Sequence, residues 1–462
     1  MTRRDLLTRI AATCPACRLA FASDRAHTGA EIDSVLARIK PPAFPNRDFS
    51  ITTYGAVGDG SVKCTEAIRK AIEACSAAGG GRVVVSRGAF LTGAIHLEDN
   101  VNLHVAEGAT LLFSTDPVDY LPLVYTRFES TECMNFSPFI YAFEKRNIAI
   151  TGPGLLDGQA DETHWWDWTR KARGANTNGQ NDVKALVEQM GNKDVPVQER
   201  IFGPGHYLRP NFVQPYRCES VLLEDFTMKR SPMWELNPTL CRNVTIRNIT
   251  VDSHGPNNDG CDPDACAGVL IEKCTFSTGD DCIAIKSGRN RDGRRVGFPT
   301  TNVIVQDCVM KDGHGGVSIG SEVSGGIKSM YLRRNQMSSP HLQRALRIKT
   351  NSYRGGVIEN VVFSDITVGQ VSDSVITVDF YYEEGEGGPF KPVVKNVDVR
   401  NVTCRKSKYG IYLNGYKDAP ITGVNISNCT FNNAEKGNFF RNVEEINMSN
   451  VRVNGKEVTI RG

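Results

Sequence analysis

Asn243-Val-Thr-Ile-Arg-Asn-Ile-Thr-Val251 and Gly268-Val-Leu-Ile-Glu-Lys-Cys-Thr-Phe276 are copies of one pattern, and their reading decides the fold. Each is two short apolar-alternating strands around a polar dipeptide corner. The pattern returns at Asn302–Met310, Asn360–Val368, Asn396–Cys404 and Gly423–Phe431, with its second position held by Val244, Val269, Val303, Val361, Val397 and Val424. Adjacent copies lie 25 to 36 residues apart, with a weaker copy near Met330 filling the one larger gap. That period is too short for a domain and too irregular for a propeller blade. It suits one turn of a solenoid whose loops vary while its strands stack. Inward positions then form ladders, of which Ile249, Cys274, Cys308, Val402 and Cys429 are one, with Asn335 its polar member.

Outward from the repeat, Thr65 to Ala78 has helical spacing of Ala67, Ile68, Ala71, Ile72 and Cys75 and ends at Gly79-Gly-Gly81. It reads as the cap over the first coil. Residues 157–217 break the repeat and carry Trp165, Trp166 and Trp168 with a Gly- and Asn-rich middle. An interval of that length reads as a lid or cleft wall, its tryptophans set against a sugar face. The division expected is an N-terminal extension over 1–46 and one body over 47–462, with the cap at 48–112.

The 462 residues carry a formal net charge of +2, with 40% apolar residues and 43 glycines. This composition excludes a disordered chain and offers no basic stripe for nucleic acid. No apolar run approaches membrane-spanning length, so no membrane partner is expected. Thr2-Arg3-Arg4 is similar to a twin-arginine export signal, followed by an apolar stretch that Pro15 and Arg18 interrupt. A periplasmic or extracellular location is the expectation, and a plain basic leader on a cytoplasmic protein is the alternative. Of the 14 cysteines, Cys14 and Cys17 have CxxC spacing but no second pair at zinc-site spacing, and those in strands read as small buried apolar residues. One or two disulfides stay open at this level.

Polar residues converge where the repeats line up. Asn257-Asn258-Asp259, Gly279-Asp280-Asp281, Gly313-His314-Gly315 and Arg347-Ile348-Lys349 are offset by about one turn each. Stacked coils bring such positions to about 4.8 Å. Alternation sends Leu346, Ile348, Val317 and Ile319 inward, leaving Arg347, Lys349 and His314 outward. Gly279 lets a turn present Asp280 and Asp281 together. Three carboxylates, an imidazole and two cations on one face are the kit of glycoside hydrolysis. Crowded carboxylates raise one pKa and supply the acid, and an inverting enzyme leaves about 6.5–9.5 Å between acid and base. The cations suit a substrate that is itself a carboxylate.

At these four motifs the chain strongly resembles the family 28 glycoside hydrolases, the polygalacturonase family, over roughly residues 48 to 455, with Asn258 the one departure from the motif pattern. The resemblance implies a right-handed parallel β-helix acting on pectin or polygalacturonate by inverting hydrolysis, as a monomer with no metal or other cofactor. It implies Asp280 as general acid, Asp259 and Asp281 activating water, and His314 tuning the acid. Asn257, Arg347, Lys349 and Tyr381 (less directly Tyr382) would hold substrate. Rhamnogalacturonan hydrolases are similar but lack the His and Arg-x-Lys motifs. Two rivals are a calcium-dependent lyase using Asp262-Pro-Asp264 and a non-catalytic carbohydrate-binding β-helix. Neither needs a complete acid/base set.

Overall fold

Two backbone corners in each turn make the coil. Residues five apart adopt left-handed backbone at 220/225, 243/248, 268/273, 302/307, 329/334, 360/365, 396/401, 423/428 and 445/450. Between each pair runs one short strand, and beyond the second corner the next begins. Left-handed backbone costs a residue with a Cβ about 1–2 kcal/mol, least for Asn, Asp and Gly, which hold most of these positions. The Asn residues add a second contribution, because their amides bond to the corner of the neighbouring coil. Asn248 Nδ2 donates to Asp225 Oδ1 at 2.6 Å, Asn401 Nδ2 to Asp365 Oδ1 at 2.8 Å and Asn450 Nδ2 to Asn428 Oδ1 at 2.9 Å.

The computed structural model describes residues 29–170 and 179–461; Thr2-Arg3-Arg4 and the Cys14/Cys17 pair lie outside the described residues. Strands pair in parallel from coil to coil, giving an all-β, right-handed parallel β-helix. Arg242–Arg247 pairs with Ala267–Glu272, which pairs with Thr300–Gln306. A second face stacks Ile283–Ile285, Gly313–Ile319, Leu342–Lys349, Ser374–Asp379, Tyr409–Asn414 and Asn438–Arg441. Inside, one continuous core runs the length of the solenoid. Ile249, Cys274, Cys308, Val402 and Cys429 are all buried in it. Asn335 joins their ladder with its amide satisfied, accepting from Cys308 N at 2.9 Å and donating to Val305 O at 3.1 Å. All twelve described cysteines are buried and unpaired.

The helix Thr65–Ala77 closes the first coil with Ala67, Ile68, Ala71, Ile72 and Cys75 inward, as its spacing requires. The N-terminal extension is not wholly separate from the body. Helix Gly29–Leu36 lies across the outside of the coils, with Ile32, Val35 and Ile39 packed on Leu270, Ile304, Tyr331 and Val362. Residues 157–217 also differ from an unstructured interval. They contain helix Gln180–Asn192, whose Val183 and Val187 pack on Phe128, Phe202, Leu208, Met233 and Trp234.

If the left-handed corners hold the coil, Asn401→Val should cost about 1–2 kcal/mol, since a β-branched residue is strained there and loses the amide bond. Asn401→Gly should cost less. Urea midpoints of the two variants measure the difference; equal midpoints would contradict the role given to the corner.

Candidate active site

Register places the acidic residues side by side. Cys261 pairs with Ile283, Ile283 with Val317 and Val317 with Leu346. Those four side chains are inward and fully buried. Asp259 and Asp281 precede the first two by two residues and lie in the turns that lead into them, outside the regular strands, so the turns and not strand alternation set their direction. Backbone bonds lock the turns together: Gly260 N donates to Asp281 O at 3.0 Å and His314 N to Asp280 O at 3.0 Å. Oxygens of Asp259, Asp280 and Asp281 all lie within 4.8 Å of one another. These nearest-oxygen separations are shorter than the span of about 6.5–9.5 Å expected between acid and base.

Two motif glycines have a steric cause. A Cβ on Gly279 would stand 2.2 Å from Gly255 O, so only glycine lets the two loops touch. A Cβ on Gly315 would stand 2.8 Å from Asp281 Oδ1, so that glycine leaves room for the carboxylate. Asn258 fastens its loop from within: Oδ1 accepts from Ser253 Oγ and Gly255 N at 2.8 Å each, and Nδ2 donates to Met233 O at 3.0 Å. Asn257 Oδ1 accepts from Arg209 Nη2 at 2.7 Å.

The three carboxylates sit in different electrostatic settings. Asp281 is fully buried; burial works against its charge, but Lys349 Nζ at 2.8 Å and Arg347 Nη1 at 3.6 Å hold its carboxyl well below the ordinary range. Lys349 in turn is held up to about 12 by Asp281, against the effect of its own burial. Asp259 is pushed the other way, first by burial and then by Asp262 and Asp280, with Lys286 at 3.9 Å only partly offsetting them. Burial likewise lifts Asp262 to about 8. Asp280 keeps 19% of its side chain exposed and accepts from His314 Nδ1 at 2.9 Å, and that bond raises the imidazole pKa despite partial burial. Within the trio the raised carboxyl is Asp259, through burial first and crowding second.

Other side chains complete the site. Lys286 Nζ lies 3.4 Å from Asp262, 3.2 Å from Glu322 and 4.4 Å from the Trp234 ring centre. Alternation could have found it, since Ile283 and Ile285 point inward and Lys286 follows on the outer face. Tyr382, not Tyr381, faces the cations, its ring centre 5.0 Å from Lys349 Nζ and 5.2 Å from Arg347 Cζ. The strand ends at Asp379, which accepts from Tyr381 N at 3.0 Å, and the turn sends Tyr381 to Glu386 and Arg441 instead. Asp262 and Asp264, the pair a calcium reading would use, each face a buried cation: Lys286, and Arg127 at 2.9 Å. That donor set suits ion pairing rather than a divalent ion.

The outer face is covered on one side of the carboxylates and open on the other. On the N-terminal side Asn211, Gln214 and Asn237 are buried and bonded together, Asn211 Nδ2 and Gln214 Nε2 both donating to Asn237 Oδ1. Hairpin Val124–Phe128/Thr131–Asn135, which sequence reasoning missed, lies over them, with Thr126 Oγ1 bonded to Gln214. Helix Gln180–Asn192 backs the hairpin, and Lys184 and Arg289 both bind Glu129 there. The tryptophans do not form a sugar wall. Trp165 is buried, 5.3 Å from Tyr120 and 4.9 Å from Trp168. Trp166 donates to Ser231 O at 2.8 Å and fills the space beside Gly255. They brace the Asp259 loop from beneath.

Three comparisons bear on this geometry. The model of glycosyl hydrolases family 28 matches residues 204–455. The crystal structure of a hyperthermoactive exopolygalacturonase from Thermotoga maritima is similar over 93% of this chain and 98% of that one, with a TM-score of 0.89 and 43% identity. A probable polygalacturonase of Vitis vinifera is 27% identical over 402 residues, 84% of this chain and 74% of the relative. An exo-poly-alpha-D-galacturonosidase of Dickeya chrysanthemi is 26% identical over 394 residues, 78% of this chain and 62% of the relative.

The pairing of Lys349 with a fully buried Asp281 changes what its removal should do. Lys349→Met leaves the buried carboxylate with Arg347 alone at 3.6 Å and should cost up to about 3 kcal/mol near neutral pH. A depressed carboxyl pKa stabilises above the unfolded value of ~3.9 and is lost as pH falls through the folded value. In the variant that contribution shrinks to what Arg347 supplies, so its stability curve should flatten on the acid side. Urea melts from pH 3 to 7 check this; parallel curves would contradict the pairing.

Proposed function

The chain belongs to the glycosyl hydrolases of family 28, and we propose that it removes galacturonate units from one end of a polygalacturonate chain. The observation that carries this reading is the trio Asp259, Asp280 and Asp281, set beside Arg347 and Lys349 on a face closed at one end. Hydrolysis of an α-1,4-galacturonosyl linkage needs a proton for the leaving oxygen, a water and a place for an anionic sugar. Of the three carboxylates Asp280 is the one that opens to the cleft, so it donates the proton. His314 then stabilises the carboxylate that donation leaves behind.

Asp259 and Asp281 lie deeper and act on water. Three oxygens no more than 4.8 Å apart surround a point about 2.8 Å from each, an O–H···O hydrogen-bond length. One water there bonds to all three carboxyls, which accounts for the close spacing without a covalent sugar–enzyme bond. Its oxygen attacks the anomeric carbon as the bond to the leaving oxygen breaks, and its proton passes to Asp281, the carboxylate that Lys349 and Arg347 hold ionised, while Asp259 orients the water. The configuration is thereby inverted. Arg347, with 12% of its side chain exposed, is the cation open to a substrate carboxylate, whereas Lys349 is committed mainly to Asp281. A terminal unit would lodge against the covered N-terminal side, with the rest of the polymer toward the open C-terminal coils. The exopolygalacturonase named above supports this direction of action.

Product analysis tests the reading. Monogalacturonate should dominate from the first time points with slow loss of viscosity, and proton NMR should register the β-anomer first. A rapid viscosity drop with a ladder of oligomers would overturn end-wise action. Asp280→Asn should lower kcat by 10²-fold or more while polygalacturonate still binds. Activity should persist in excess EDTA with no unsaturated product; a calcium requirement would move the chemistry to elimination.

The imidazole supplies a pH prediction. With its pKa raised by Asp280, His314 stays charged below that value, and the imidazolium that stabilises the carboxylate left by donation is lost as pH climbs through it. The alkaline limb of kcat/KM should therefore have its midpoint above the ordinary value of ~6.5. His314→Asn should abolish that limb's midpoint and leave the acid limb in place. An unaltered alkaline limb in the variant would remove His314 from the mechanism.

A further inference from the structure

Beyond the residues flanking the scissile bond, the open half of the face carries aromatic side chains that the core does not use. Arg347 pairs in register with Thr377, Thr377 with Tyr412 and Tyr412 with Phe439. At about 4.8 Å per rung, Tyr412 and Phe439 stand about 10 and 14 Å from Arg347 along one outward column. The Tyr412 and Phe439 rings are stacked at 4.7 Å and 17°, and Tyr409 meets Tyr412 at 5.4 Å. In the same strand Ile411 and Leu413 are fully buried while Tyr412 is half-buried, so alternation sends its ring outward; Tyr409, the first residue of the strand, is half-buried as well and meets the Tyr412 ring from there. None of the three is among the side chains packed against the solenoid core, whereas Tyr381 and Trp166 are.

Cations frame these rings. Lys408 Nζ lies 5.5 Å and Lys436 Nζ 6.0 Å from the Tyr409 centre. In the next outward column Lys349 pairs with Asp379, Asp379 with Asn414 and Asn414 with Arg441, and Arg441 lies 4.2 Å over Tyr381. The nearby acids are already engaged: Asp373 with Arg344 and Lys408, Asp379 with Asn414, and Glu386 with the Tyr381 hydroxyl. Among the described residues, neither Lys436 nor Arg441 has a carboxylate within ion-pair distance. A polymer of uronic acids presents apolar C–H ring faces and one carboxylate per unit. Half-buried rings with unpaired cations at their margins match both features.

We propose that Tyr409, Tyr412 and Phe439, with Lys436 and Arg441, form a distal binding site for galacturonate units remote from the cut. The proposal rests on the polygalacturonase reading above and extends it to how the enzyme holds a long chain. The part of the polymer that is not released runs from Arg347 along the column to Phe439. The site therefore favours long chains over short ones, because a dimer spans only the scissile bond and cannot reach Tyr412.

The test compares chain lengths. In Tyr412→Ala/Phe439→Ala the ratio of kcat/KM on polygalacturonate to that on digalacturonate should fall about tenfold, the size expected for lost aromatic contacts. The change should reside in KM for the polymer. Equal losses on polymer and dimer, or an unchanged ratio with only a lower melting temperature, would overturn the distal site and assign the rings to stability. A smaller mass on size exclusion for the variant than for the wild type would assign the face to contact between copies, again overturning it. Wild-type protein inactive on both substrates would instead reject the polygalacturonase reading. Lys436→Gln/Arg441→Gln, which leaves the rings in place, should give the same drop in ratio and lose it at high salt.

Discussion

Left-handed backbone at fixed five-residue intervals is the constraint on which the rest of the molecule depends. One such residue turns the chain through a corner, and repeating the pair in coil after coil makes every corner stack on its neighbour. Asparagine serves here because it tolerates that backbone and carries an amide that reaches the next corner, as Asn401 reaches Asp365. Register follows. With corners aligned, Cys261, Ile283, Val317 and Leu346 must align, and so must the outward residues beside them. Asp259 and Asp281 are neighbours because asparagines on another face of the coil are neighbours. The chemistry therefore inherits its precision from backbone geometry rather than from contacts among the catalytic groups.

Those contacts are in fact unfavourable on their own. Carboxylates packed this closely repel, and burial adds a further penalty. The site resolves the conflict in two ways that leave distinct protonation states. Asp281 is held ionised by Lys349 and Arg347, while Asp259 and Asp262 share one ammonium, Lys286, with Glu322 and are pushed toward the protonated form. One side of the trio is thus kept anionic and the other kept able to carry a proton. A surface cluster of three aspartates would have neither property, since water would screen the repulsion and the ion pairs alike.

The repeat and the four motifs were legible in the sequence because both depend on strict spacing. A conserved interval between apolar positions survives any loop length, so the coils, the inward ladder and the outward placement of Arg347 could be read directly. What escaped reading lay where spacing loses force. At Asp379 the strand gives way to a turn, so alternation no longer says which tyrosine faces the cations, and Tyr382 took the place expected for Tyr381. Hairpin Val124–Phe128/Thr131–Asn135 is antiparallel within a parallel molecule and carries no copy of the repeat. Tryptophans in residues 157–217 suggested a sugar platform, yet an aromatic ring fits a buried brace as well as a binding wall. The sequence does not say which surface meets it. Ownership of the raised pKa depends on burial in three dimensions, and therefore fell on Asp259.

The helix Gly29–Leu36 and the residues after it bear on how the solenoid comes apart. In a stack of coils each turn touches only the turns above and below, so adjacent stretches can open independently and the ends fray first. Leu270, Ile304, Tyr331 and Val362 occupy successive rungs of one column. The segment carrying Ile32, Val35 and Ile39 lies along that column, and Lys40 exchanges two hydrogen bonds with the Asn243 amide. One piece of chain is therefore bonded to coils that never meet one another. Opening any of them strips apolar surface from the strap and weakens its hold on the others. The middle of the molecule gains a cooperativity that nearest-neighbour stacking does not provide, and it spans the coils that carry the carboxylates.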